Sequence, residues 1–205
     1  MIAEQVLHRI EYIHSRSFIH RDIKPENFLV GTGELSGTIH LIDYGLGKMY
    51  RNIKTGEHIP PAEGKSLTGT ARYASINAHL GLEQSRRDDL LAFGYVMVYL
   101  LKGTLPWVGL QAKTKKDKYD LIRDKKLDTT VEMLCAECPE AFARYFKYCG
   151  KLAFEEKPNY SWLRKLFKDV MKANGFENDS VFDWIGTKGK VKPKTKKHNQ
   201  ENVKC

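Results

Sequence analysis

The chain has 205 residues, 41% hydrophobic and 29% charged, enough apolar side chain to bury one core, which excludes both a disordered polymer and a large multidomain protein. Its net charge of +9 is uneven: residues 188–205 carry seven lysines against one glutamate, contributing +6 and leaving +3 for the remainder. The four cysteines, Cys135, Cys138, Cys149 and Cys205, do not make a secreted disulfide scaffold in a chain this long, and no apolar leader precedes them, so a reducing compartment, cytoplasmic or nuclear, is expected.

In chain order, Ile2, Val6, Leu7, Ile10 and Ile13 recur every three to four residues and predict an amphipathic helix over 2–15 with its apolar stripe on the core. Residues 28–30 and 38–42 read as two short strands joined by the Gly-rich turn 31–37. Residues 90–101 are apolar on every side and follow Asp88 and Asp89, which read as helix-start residues. That run is too short to span a bilayer and predicts a buried central helix. Further helical patterns cover 115–126, 139–152 and 160–174, with Phe142, Tyr145, Phe146, Cys149, Leu163, Leu166, Phe167 and Val170 assigned to the core. The fold expected is mainly α with a small β-hairpin: one unit over 1–185, then a basic tail over 186–205 that cannot bury apolar surface and is expected to be disordered.

The run Ile19-His20-Arg21-Asp22-Ile23-Lys24-Pro25-Glu26-Asn27, answered downstream by Asp43-Tyr44-Gly45, carries the chemistry. Asp22 suits a base that accepts a hydroxyl proton, Asn27 and Asp43 suit oxygen ligands for a metal across phosphates, and Lys24 suits a cation that neutralises the transferred phosphate. Each alone also reads as a turn former; together, with the hairpin returning Asp43 towards Asp22, they fit phosphoryl transfer. These motifs resemble a eukaryotic protein kinase, and Asp-Ile-Lys-Pro-Glu-Asn is similar to the serine/threonine form. The stretches 67–77 (Leu-Thr-Gly-Thr-Ala-Arg-Tyr-Ala-Ser-Ile-Asn) and 83–90 (Glu-Gln-Ser-Arg-Arg-Asp-Asp-Leu) resemble the casein kinase 1 family, with Ser-Ile-Asn where most kinases carry Ala-Pro-Glu. Leu105-Pro106-Trp107, the run 114–119, Lys157-Pro158-Asn159-Tyr160 and Phe182-Asp183-Trp184 extend the similarity over about residues 4–185.

The resemblance implies a protein kinase-like fold, represented by its C-terminal lobe without the N-terminal β lobe, and transfer of the ATP γ-phosphate with Mg2+. It implies catalytic Asp22, Lys24 and Asn27, metal ligands Asn27 and Asp43, and Asp89 as structural anchor of the catalytic loop. It also implies Arg21, Arg72 and Lys118 as substrate anion-binding residues, hence protein substrates acidic or phosphorylated upstream of the target Ser or Thr. Tyr44 stands where Phe is usual, and its hydroxyl needs a partner if buried. The sequence holds no Gly-rich phosphate loop, strand lysine or partner glutamate, so little or no activity is expected of this chain alone. A non-catalytic half-kinase that binds phosphorylated or acidic partners is the alternative.

No aromatic residue follows Trp184 to stack on bases, so specific nucleic-acid recognition is not expected. Nor is a transmembrane segment or peripheral membrane association. Cys135 and Cys138 form a single Cys-x-x-Cys that reads as structural thiols rather than a zinc site, and Cys205 lacks the three residues that follow a prenylated cysteine.

Overall fold

The computed structural model describes residues 1–185; the basic tail and Cys205 lie outside the described residues. Among these, seven α-helices dominate and β-structure amounts to two two-stranded sheets and an isolated bridge between Arg51 and His58. Helix α1 (Ile2–Ser15) buries Val6, Leu7, Ile10 and Ile13, the stripe its spacing predicts, and also His14. A short strand β1 (Phe18–Ile19) follows and pairs antiparallel with β4 (Lys48–Met49), a sheet the sequence pattern does not reveal because each strand has only two residues. Between them, β2 (Phe28–Val30) and β3 (Ile39–Leu41) form the antiparallel hairpin, in register Phe28 with Leu41 and Val30 with Ile39.

The central helix α3 (Arg86–Lys102) starts four residues earlier than its apolar run suggests, so Asp88 and Asp89 lie inside its first turn rather than ahead of it. The reason lies in Asp88: its carboxylate accepts the Ser85 N–H at 2.8 Å, the Ser75 hydroxyl at 2.6 Å and the Asn77 amide at 3.0 Å. One buried carboxylate thus ties the start of α3 to the short helix α2 (Ile76–His79), and Ser75 and Asn77 are the outer residues of the Ser-Ile-Asn triplet. Gly103, at φ +75, ends α3 in the left-handed conformation that glycine adopts without penalty.

Helix α4 (Lys115–Asp128) is followed by the one-turn α5 (Val131–Leu134), by α6 (Glu140–Cys149) and by α7 (Tyr160–Ala173). Thr114, Thr130 and Asn159 cap α4, α5 and α7 by accepting the backbone N–H of the third residue of each helix. Helix α7 packs on α1, and α6 packs on α3, placing Tyr145, Phe146, Leu163, Leu166 and Phe167 in the core. Val170 and Phe142 are only partly buried at its edge. The chain after α7 folds back, with Trp184 Nε1 donating to Ser36 O at 2.8 Å. Among the described residues no helix is long and apolar enough to cross a membrane.

Candidate active site

The loop between β1 and β2 and the turn after β3 lie side by side because the hairpin makes them neighbours: Ile42 N–H donates to Asn27 O at 3.0 Å. His20, fully buried, couples the two. Its Nε2–H donates to Ile42 O at 2.9 Å, which leaves Nδ1 to accept the Asp22 N–H at 3.3 Å. Both ring nitrogens are thereby engaged within the protein.

Beneath the loop, Asp89 receives the backbone N–H groups of His20 and Arg21, each at 2.8 Å, and His14 Nε2 at 2.8 Å. His14 Nδ1 is met by the Tyr160 hydroxyl at 2.7 Å. Burial alone works against the charge of Asp89, and the His14 contact with the two backbone donors outweighs it, so its carboxyl titrates below the usual range. The anchorage matters because Arg21 (φ +66) and Asp43 (φ +61) both hold left-handed backbone conformations that cost non-glycine residues energy.

Asp22 is 6% exposed, and both its oxygens are engaged. Oδ2 accepts the Lys24 ammonium at 2.6 Å; Oδ1 accepts the Thr70 N–H at 2.9 Å and the Thr70 hydroxyl at 2.8 Å. Burial raises its pKa, but Lys24 and Thr70 together lower it further than burial raises it, giving an ionised and weakly basic carboxylate. Thr70 reaches it because Gly69, at φ +95, lies against Arg21 O, where a Cβ would approach to 2.3 Å. Lys24 sits in an acidic surround: the Asp22 hydrogen bond raises its pKa, with further contributions from Glu26 and Asp43.

Residues 1–173 match the family model described as the protein kinase domain. The chain belongs to the protein kinase domain family. Its described part is the helical lobe of that fold, with no larger β-sheet among the described residues.

Kinase domains in general use ATP and a divalent metal, and the donor set here fits a hard cation. Asn27 donates its amide N–H to Asp22 O at 2.9 Å, so the amide oxygen is the atom that would meet a cation. Asp43 is exposed and accepts the Gly45 N–H at 3.3 Å through Oδ1. A carboxylate and an amide oxygen are the hard donors such ions take. The Tyr44 hydroxyl, half-exposed, has a partner in Leu41 O at 3.0 Å.

The three predicted anion-binding residues meet different surroundings. Arg21, with Nε donating to Leu46 O at 2.7 Å, lines a cavity of about 200 Å³ with Lys48 and Lys65. Their charges are already partly matched there by Glu83, whose buried carboxylate lies 2.9 Å from Lys48 Nζ and 3.5 Å from Lys65 Nζ. Arg72 stacks over the Tyr73 and Tyr99 rings at 5.8 and 5.6 Å, and Lys118 is exposed in the first turn of α4. Lys48, Lys65, Glu83 and Thr70 were not singled out in the sequence; Thr70 and Glu83 lie in the stretches that carry the casein kinase 1 resemblance, whereas the two lysines have no local signal.

Proposed function

We propose that this chain is the helical lobe of a casein kinase 1-type serine/threonine kinase, which directs the ATP γ-phosphate to a Ser or Thr hydroxyl of an acidic or phosphorylated protein segment. The observation that carries this reading is the Asp22–Lys24–Thr70 assembly, with Asn27 and Asp43 beside it. Asp22 is held ionised and weakly basic, which suits orienting a hydroxyl by accepting its hydrogen bond. A strong base is not needed where bond-breaking to the leaving group runs ahead of attack. Lys24, already on Asp22, is placed to neutralise charge on the transferred group. Asn27 and Asp43 would hold Mg2+, which supplies charge neutralisation across the nucleotide phosphates. Leu29 of β2 is 49% exposed, an apolar side chain suited to the flat base of a nucleotide.

Substrate preference rests on the cations. Arg21, Lys48 and Lys65 offer one site for an acidic or phosphorylated side chain, and Arg72 with Lys118 offers guanidinium and ammonium groups outside that cavity. The test uses the kinase with a nucleotide-binding β lobe joined ahead of Met1, assayed on matched peptides with and without a phosphoserine upstream of the target. Arg72→Ala is expected to lower turnover on the phosphorylated peptide by about tenfold more than on the plain one. Equal losses would make Arg72 a structural arginine. Tight capture of the phosphopeptide by the chain with no affinity for Mg-ATP would instead favour the half-kinase binding module.

A further inference from the structure

Lys126, in the last turn of α4, is 2% exposed, an unusual place for an ammonium group. No carboxylate forms an ion pair with it among the described residues. Its Nζ instead donates to the backbone carbonyls of Ala71 at 2.9 Å and Ala74 at 2.5 Å. The faces of Tyr95 and Trp107 lie 4.7 and 5.0 Å from it. Carbonyl dipoles and ring faces thus stand where water would otherwise meet the group, and burial pushes its pKa well below the usual lysine value.

The two carbonyls bracket Arg72 and Tyr73. One of the two carbonyls between them, Arg72 O, accepts Trp107 Nε1–H at 2.7 Å, and Ala71 O also accepts His79 Nε2–H at 3.0 Å. The backbone of 71–74 is therefore gripped from the core by α2, α4 and Trp107, while the Arg72 side chain lies over Tyr99 on α3. Gripping carbonyls at both ends of the turn fixes the direction in which Arg72 leaves the chain.

We propose that Lys126 is a positioning residue for the substrate segment: its ammonium clamps the Ala71 and Ala74 carbonyls from beneath and so sets the presentation of Arg72. The role of Arg72 itself rests on the proposed anion recognition, but the clamp does not. Removing its N–H donors leaves Ala71 O with His79 alone and takes from Ala74 O the donor that holds it, and the turn that contains them should open locally.

The experiment is amide hydrogen exchange on the full chain, wild type against Lys126→Met, which keeps the apolar stem and removes the donors. The reporters are the Tyr73 and Ala74 amides, both bonded to Thr70 O at 2.9 Å, against amides of the α3 core. Exchange at Tyr73 and Ala74 is expected to speed up about tenfold or more with α3 unchanged, and Lys126→Arg to restore part of the protection. Unchanged exchange at Tyr73 and Ala74, or an equal acceleration everywhere, would make Lys126 a space-filling core residue and overturn the proposal. Lys126→Gln, which retains one N–H donor group, carries the same comparison if the Met variant does not fold; failure of both to fold also overturns it. In parallel, binding of a phosphoserine peptide is measured for wild type, Lys126→Met and Arg72→Ala. A wild-type chain that ignores the peptide counts against anion recognition, while the exchange result still decides the clamp.

Discussion

Asp89 is a single buried carboxylate on which two backbone N–H groups of the loop between β1 and β2 and one imidazole converge. Replacing it with Asn keeps the volume but turns an N–H2 towards at least one of these donors, so unfolding in urea should show a loss of about 3 kcal/mol. A loss below about 1 kcal/mol would mean that the loop is held mainly by other contacts. His79 makes the pH prediction. Burial, then the charges of Lys126 and Arg123, hold its pKa down at about 4 against an ordinary 6.5, despite its bond to Ala71 O. The folded state therefore keeps His79 neutral while the unfolded chain protonates it. Its contribution is complete above pH 6.5 and declines as the pH falls towards about 4. Wild type should accordingly lose more stability than His79→Gln between about pH 7 and about pH 5. Parallel losses in urea titrations at the two pH values would refute the neutral, buried imidazole.

At the level of elements, the close packing of α6 on α3 depends on Gly94. A Cβ there would stand 2.7 Å from Phe146 Cζ and 3.1 Å from Tyr145 Cε1, both on buried rings. Gly94→Ala would gain about 1 kcal/mol of helix propensity but force an overpacked contact costing about 1–3 kcal/mol. Steric conflict should win, and equilibrium unfolding is expected to show net destabilisation of up to about 2 kcal/mol; a stabilised variant would show that the rings yield easily. The start of α3 illustrates a related point. Its apolar run begins at Leu90, but its first turn is fixed by Asp88 reaching back to Ser75, Asn77 and Ser85, a tie between elements that no local pattern displays.

For the molecule as a whole, the helical lobe brings together the loop residues of a protein kinase and leaves Asp43 and Leu29 exposed. Phosphoryl transfer needs charge neutralisation around the phosphates as well as a held hydroxyl, and this sequence carries neither the strand lysine nor the Gly-rich loop that the fold uses. Purified chain with Mg-ATP and a phosphorylated peptide is expected to turn over at a small fraction of the rate reached once a β lobe is joined to it. Substantial turnover by the chain alone that vanishes in Asp22→Asn would overturn this expectation.

The amino-acid sequence by itself determined the mainly helical fold, the hairpin and the amphipathic face of α1, because hydrophobic period and glycine placement act over a few residues. It also displayed Asp22, Lys24, Asn27 and Asp43, since loop chemistry packed into nine residues and one later tripeptide needs no knowledge of packing. Tertiary structure decided what those residues meet. Thr70 on Asp22, Glu83 between Lys48 and Lys65, and Lys126 under Ala71 and Ala74 all join segments far apart in the chain. The placing of Arg21 beside Lys48 and Lys65 in one cavity arises the same way. Charge partnerships depend on distance and burial, and both arise only when the core closes.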